Sequence, residues 1–407
     1  MTRRDAVVVG AGPAGSVTAL LLARAGARVL LLDRARFPRD KPCSEYLTPE
    51  TTRVLERLGG GILEAVEASA PARLSGMKIV SPDGTAAVGR FRPGPGYAPP
   101  RPYGFALPRT TFDQILVDAA VRAGVELEEE TTVEDLIVAG GMAQGAVMRE
   151  AEGGKREEVR SRVVIGADGL RSVVARRLGH RRFGPPRRVA YSAHVAGVRD
   201  VTDVGEMHIG ESGYVGMGPI GSGETTVALV VPATSARREL TRPGPFVAAL
   251  DRFPGLRGRF RADLVTRAVL ATGPFAQWSR ASTADGALLV GDAADFFDPF
   301  TGQGIYSALR GAELAAEALI PALALGTGPI PATRLEAYRK ARRRVFGAKW
   351  ILERLIGAGV GWPALATRVV RRLARRPELA DLLVGATGNF IPAARVLSPA
   401  TLTSLIA

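Results

Sequence analysis

Short continuous apolar runs that end in a glycine or an acid recur along the chain: Val7–Val9 before Gly10, Val29–Leu32 before Asp33, Val163–Ile165 before Gly166, and Ala287–Val290 before Gly291. Runs of this length bounded by turn residues read as buried strands. A long apolar stretch carrying Arg24 and Arg28 follows the first run, so the amino-terminal segment predicts strand, tight turn, helix and second strand. Met1–Arg4 and the run after them resemble the start of a secretory signal, but the glycines that follow at once argue for a folded unit instead. Residues 187–232 alternate in the manner of strands (Val189, Tyr191, Ala193, Val195, then Thr226–Val231) around the turn Gly221–Gly223, which predicts an antiparallel sheet. Helical periodicity predicts helices over Thr111–Ala123 and Ile305–Leu319, and again from Leu335 and from Ala364, with breaks at Gly357–Pro363 and Pro377. The proline-rich stretch Pro93–Pro102, flanked by Tyr97 and Tyr103, is expected to be a stiff lid or wall.

Length fits this pattern: 407 residues suit one large α/β unit or two interleaved ones. A single Cys excludes a disulfide framework and a thiolate zinc site, and three scattered His residues (180, 194, 208) form no ligand cluster, so a reducing cytoplasm is the expected location. No apolar run reaches the length needed to span a bilayer. The net charge of +14 is uneven, because residues 334–376 hold 13 basic side chains against two acidic ones. From Ala364 the arginines at 368, 371, 372, 375 and 376 share one helical face, with Leu365, Val369 and Leu373 opposite. Such a helix suits peripheral association with an anionic membrane or a partner, or packing on the body with a solvated face. No recognition module accompanies the charge, which argues against nucleic acid.

The candidate chemistry sits in the turns. Gly10 makes the sharp turn after the first strand, Gly12 lets a pyrophosphate approach the backbone, and Gly15 lets the helix, with Ala14 at its start, pack on the strand. Asp33, at the end of the second strand, is placed to accept from ribose hydroxyls, and the whole reads as a dinucleotide site without distinguishing FAD from NAD. Asp168-Gly169 and Gly291-Asp292 repeat the strand-to-glycine-turn pattern with an acid, the second leading through Pro299, Gly302, Gln303 and Gly304 into a helix.

Together, in this order, these segments resemble the flavoprotein family of aromatic hydroxylases, geranylgeranyl reductases and flavin-dependent halogenases, from Val7 to about Leu319. The resemblance implies an α/β fold in which a Rossmann-like FAD-binding domain, of the glutathione-reductase and para-hydroxybenzoate-hydroxylase kind, interleaves with an antiparallel-sheet substrate domain ahead of a helical C-terminal region. The expected divisions are 1–75, 104–186 and 271–330 for FAD, 76–103 and 187–270 for substrate, and 331–407 for the basic helical region. It implies that the first glycine motif holds the ADP half of FAD, Asp292 the ribityl chain, Arg109 a contact to the cofactor, and Asp168 the pyrophosphate region with a part in nicotinamide binding. Arg34 and Lys41 join the cofactor set. No second glycine motif serves a nicotinamide, so NAD(P)H is expected only as a transient electron donor, or a separate reductase takes its place.

Phe37-Pro-Arg-Asp-Lys41-Pro-Cys43 is similar to the reductase and halogenase branch, where a Cys lies near the flavin ring, although Ser44 stands in place of that branch's glycine. Cys43, Tyr214 and His194 are the candidate catalytic residues, while His208 shares the presumed substrate sheet. Where the reductases carry Trp and Phe on a strand lining the lipid tunnel, this chain has Gly216 and Gly218, which means either a wide pocket or a β-bulge. The expected activity is therefore that of a monooxygenase, hydroxylating or epoxidising a bulky hydrophobic polyketide or isoprenoid-derived secondary metabolite through a flavin hydroperoxide. The alternative is a double-bond reductase or dehydrogenase acting on a prenyl-like lipid.

Overall fold

A computed structural model describes residues 4–150 and 153–406, so Met1–Arg3 lie outside the described residues. The strand Arg4–Val9 occupies the middle of an eight-stranded sheet whose main path runs Thr283–Ala284, Ala287–Leu289, Arg156–Gly166, Arg4–Val9, Val29–Leu32 and Glu126–Glu128. Its pairings are parallel, with Val8 opposite Ile165 on one side and Leu31 on the other. Val7, Val8, Leu31 and Ile165 are fully buried, as strands covered on both faces must be. The helix Pro13–Arg24 packs against both Arg109–Arg122 and Gly304–Ala324, sealing one face of this sheet in a single apolar cluster.

A seven-stranded sheet runs Val265–Thr272, Arg188–Ala196, Glu224–Pro232, Gly213–Gly221, Gly205–Gly210, Gly76–Val80 and Ala86–Arg90. Its pairings are antiparallel except where Gly205–Gly210 meets Gly76–Val80. The molecule is thus an α/β Rossmann-like fold with mixed sheets and a helical C-terminal region.

That region differs from the expected pattern in useful ways. The helix Glu336–Val360 runs straight through Gly357, whose carbonyl accepts from Arg188 Nη2 at 2.8 Å. Three further helices start at prolines, Pro363–Arg375, Pro377–Thr387 and Pro399–Ile406, because a proline at the first helical position loses no hydrogen bond. Part of the basic charge is internal. Arg342 is buried against Asp295, which also accepts from Trp350 Nε1 at 2.9 Å, and Lys349 donates to Glu353 at 2.5 Å. The proline-rich stretch, expected as a lid or wall, packs on the body: Tyr97 lies among the C-terminal helices under Arg395, and Tyr103 packs at a tilt against Phe105.

Candidate active site

A cleft with an empty volume of about 1100 Å³ lies where the two sheets meet, lined by Gly12, Ala14, Lys41, Cys43, Arg109, Asp292, Pro299, Gly302 and Gly304 from the expected set. Gly10 has a φ of +98°, and a Cβ there would lie 2.6 Å from the Ala167 carbonyl oxygen; a Cβ on Gly15 would overlap the carbonyl of Gly10. The turn therefore needs both glycines for backbone geometry, while Gly12, Pro13 and Ala14 between them line the cleft. The helix Pro13–Arg24 starts at Gly12 with no side-chain cap, leaving its positive end open to the cleft. Asp33 braces this turn, accepting from Ala11 N at 2.8 Å and from Ala35 N at 2.9 Å.

Arg34 is exposed and away from the cleft. The guanidinium at this end belongs to Arg39, which lies 3.6 Å from Asp33 and 3.2 Å from Asp113, and 3.4 Å from where a Gly12 Cβ would stand. Asp113 in turn takes a bidentate pair from Arg109 at 2.6 and 2.7 Å, so Asp33, Arg39, Asp113 and Arg109 form a row of alternating charge. Burial opposes the charge on Arg109, but the Asp113 carboxylate and the adjoining Cys43 outweigh it and hold its pKa above the usual guanidinium value. Sequence reasoning had Arg39 in view within Phe-Pro-Arg but no means of telling it from Arg34.

Cys43 faces the cleft, its sulfur accepting from Glu45 N at 3.3 Å. Glu45 itself was missed. It has a φ of +58°, is fully buried, accepts from Arg109 N at 3.1 Å and Arg267 Nη1 at 3.4 Å, and receives the Nε2–H of His194 at 2.6 Å. A non-glycine residue in the left-handed region persists only where its surroundings hold it, and these polar contacts do so. Arg267 also donates to Ser192 at 2.6 Å, and Ser192 borders the cleft. His194 thus does not line the cleft; it reaches Glu45, which lies between the cleft-lining Ser44 and Tyr46.

At the other end, Gly302 and Gly304 flank the start of Gly304–Ala324, again without a side-chain cap. Gln303 turns away from the cleft: its amide donates to Ala386 O at 3.1 Å and Thr387 O at 3.0 Å, latching this start to the helix Pro377–Thr387. Tyr214 is also committed elsewhere. Its hydroxyl donates to Asp298 at 2.6 Å, Arg188 holds the second oxygen at 2.5 Å, and burial with the Asp298 charge pushes the phenol pKa well up, so the group anchors the loop before Pro299 and borders no cavity. His208 pairs with Glu206 at 2.9 Å beside Arg259.

Beyond the cleft, Ser44, Tyr46 and Gly302 are shared with a chamber of about 410 Å³ between the sheet and Phe300. Gly216 and Gly218 line it, but Met207 Sδ would stand 3.1 Å from a Cβ on Gly216, so the lost rings do not leave a wide pocket. The register shift of this strand comes later, between Pro219 and Gly221. Through Met77, Met207 and Phe300 the chamber adjoins a gallery of about 1320 Å³, walled almost entirely by aliphatic side chains. Leu365, Ala366, Val369, Val370 and Leu373 form one side of it, so the apolar back of the basic helix is a cavity wall. The Tyr46 hydroxyl is buried with no partner at the wall between cleft and chamber.

The cleft fits FAD. Two uncapped helix starts and the Lys41 and Arg109 cations suit a dianionic pyrophosphate and the electron-rich edge of a flavin. Lys41 lies 3.8 Å from Asp292, and Asp168 Oδ1 is buried without a partner beside the glycine turn, its carboxyl pKa raised by desolvation. Ala190, Ala228, Val230, Phe275 and Phe296 supply apolar walls for a ring system. Among the described residues no cluster could hold a metal ion.

Comparison with known proteins agrees. The FAD binding domain family matches residues 3–350. Digeranylgeranylglycerophospholipid reductase of Methanosarcina acetivorans is 30% identical over 84% of this chain and 81% of its own length. Menaquinone reductase of Mycolicibacterium smegmatis is 34% identical over 78% of this chain and 76% of its own. A flavoprotein/dehydrogenase from Cytophaga hutchinsonii superposes with a TM-score of 0.81 at 21% identity, covering 96% of this chain and 93% of that one, and a flavin-dependent brominase, Bmp2, with 0.79 at 23%, covering 97% of each. At those identities the two structures speak to fold alone. The chain belongs to the FAD binding domain family and is an FAD-dependent oxidoreductase related to the aromatic hydroxylases, halogenases and geranylgeranyl reductases.

Proposed function

We propose that this enzyme reduces carbon–carbon double bonds in the isoprenoid chain of a lipid. The observation that carries the reading is the adjacency of three spaces that share lining residues: the cofactor cleft, the small chamber at Tyr46 and the aliphatic gallery. A gallery of this lining gains by excluding water from a chain and offers nothing to a polar or multiply oxygenated ring. The two curated relatives named above are reductases, which supports the same reading and turns the expectation of a monooxygenase toward its alternative.

When bound and reduced, FAD supplies the hydride equivalent. The protein's part is to seat the alkene and deliver a proton to the second carbon. Met77, Met207 and Phe300 grip the chain where it leaves the gallery, the methionines adapting to successive isoprene units. Cys43 is the thiol facing the cleft, and its proton is the one given up. Arg109 beside it meets the negative charge left on sulfur, and Glu45 with His194 keeps the Cys43 loop in place. NAD(P)H or a reductase protein would restore the cofactor between turnovers.

The test is anaerobic incubation of dithionite-reduced, FAD-loaded protein with a geranylgeranyl lipid and with menaquinone, followed by mass spectrometry. A gain of two hydrogens for each side-chain double bond, counted after air reoxidation of the quinone ring, supports the proposal. Product that forms only with oxygen and carries an added oxygen atom overturns it in favour of monooxygenation.

A further inference from the structure

The gallery opens at the surface between the helices Glu336–Val360, Pro363–Arg375 and Pro399–Ile406, and its outer rim has an unusual composition. Leu355 and Ile406 line the gallery and yet are 50% and 47% exposed. Ile351, one helical turn before Leu355, is 54% exposed, and Trp362, at the start of the basic helix, is 66% exposed. Of the ten large hydrophobic side chains exposed among the described residues, two therefore line this mouth, and Ile351 and Trp362 stand within a few residues of the lining Leu352, Leu355, Val360 and Leu365, where scattered exposure would place them singly. Next to them a shallow basin is lined by Arg368, Arg371, Arg372 and Arg375 together with Ile406. Asp83 pairs with Arg371 at 2.6 Å and Arg372 donates to the Ser404 carbonyl, while Arg375 and Arg376 extend the exposed row.

We infer that this face docks on an anionic lipid bilayer, with Trp362, Leu355, Ile351 and Ile406 entering the headgroup boundary and the arginines lying among the phosphates. The charge is complementary to anionic headgroups, and a tryptophan with flanking aliphatics beside arginines is the composition of an interfacial anchor. Continuity supplies the purpose: a mouth pressed to the membrane lets an isoprenoid chain slide from the acyl layer into the gallery without crossing water. This last clause rests on the reductase reading, whereas the docking does not. Among the described residues no helix is long and apolar enough to cross a membrane, so the contact is peripheral.

The experiment uses the FAD-loaded full chain without substrate. It is sedimented with vesicles of phosphatidylcholine alone and of phosphatidylcholine with phosphatidylglycerol, and Trp362 emission is followed with brominated acyl chains. Binding that needs phosphatidylglycerol, quenching that disappears in Trp362→Phe, and a loss of roughly a hundredfold in partition for the triple variant Arg368→Gln, Arg372→Gln and Arg375→Gln are expected, since each surface arginine contributes about fivefold. Flavin absorbance of the triple variant reports that it is folded, and its turnover of detergent-dispersed lipid stays at the wild-type rate. Equal sedimentation with both vesicles, or binding untouched by the arginine and Trp362 changes, overturns the inference. So does competition by inorganic phosphate that chloride at the same ionic strength fails to reproduce, which would make the basin an anion pocket. If lipid reduction fails while docking holds, only the reductase reading falls.

Discussion

Glu45 and His194 lie 149 residues apart in the chain and meet at 2.6 Å, carboxylate to imidazole, behind the thiol that faces the cofactor cleft. The pair joins the loop after Lys41 to a central strand of the second sheet. It therefore ties the loop that carries Cys43 to the second sheet.

Removing one member leaves the other uncompensated. Glu45→Ala leaves the buried His194 without this partner, while Arg267 keeps Asp40 and Ser192, so a loss of about 1–3 kcal/mol in unfolding free energy is expected. Urea denaturation followed by flavin fluorescence measures it, and an effect below about 1 kcal/mol would show that the network is not a structural clamp.

Arg39 and Asp292 are expected to matter for cofactor affinity while leaving the fold intact. Arg39→Ala removes a guanidinium next to Gly12, and Asp292→Ala an acid beside Lys41. Each should weaken FAD binding by about 1.5–3 kcal/mol, the range for hydrogen bonds to charged groups, whereas Arg34→Ala should not change it. Titration of the apoprotein with FAD distinguishes the three.

The gallery can be plugged. Ala366→Trp places an indole inside it, at an overpacking cost of about 1–3 kcal/mol. Loss of turnover on a long isoprenoid with FAD affinity unchanged is the expected result. Equal turnover on long and short chains by the variant would mean that the substrate lies elsewhere.

Acid should destabilise the protein through Glu206. Burial alone would raise its pKa, but hydrogen bonds and charge from His208 and Arg259 outweigh burial and hold it well below the ordinary carboxylate value of 4.5. A lowered folded-state pKa contributes stability that is present above the unfolded value and lost as pH falls below it. Thermal melting should therefore drop steeply below about pH 4.5, and Glu206→Gln should flatten that part of the profile at the cost of lower stability at neutral pH.

The glycine turn at Gly10–Gly15, the acid at Asp33, the two strand-to-turn segments at Asp168 and Asp292, and the alternation over 187–232 were all legible because each is a local constraint. A turn needs its glycines and a half-buried strand needs its period, whatever surrounds them. Arg39 against Arg34, the inward-facing Arg342 and Lys349, and the turning away of Gln303 were not legible. Side-chain direction in a loop or at a helix start depends on what packs opposite. Tyr214 and His194 show the same limit: a polar residue on a strand says that it has a partner, and Asp298 and Glu45 come from distant segments.

The sequence by itself determined a dinucleotide-binding turn, an antiparallel sheet over 187–232 and the position of a basic amphipathic helix, since these follow from periodicity and turn chemistry within short windows, while FAD and the interleaving of two domains came from the family resemblance. Only the tertiary structure decided what that helix covers. Its apolar side meets two sheet strands and four other helices across a space they leave open, and a cavity exists only between elements, so no single segment can encode its size, its lining or its exposed rim.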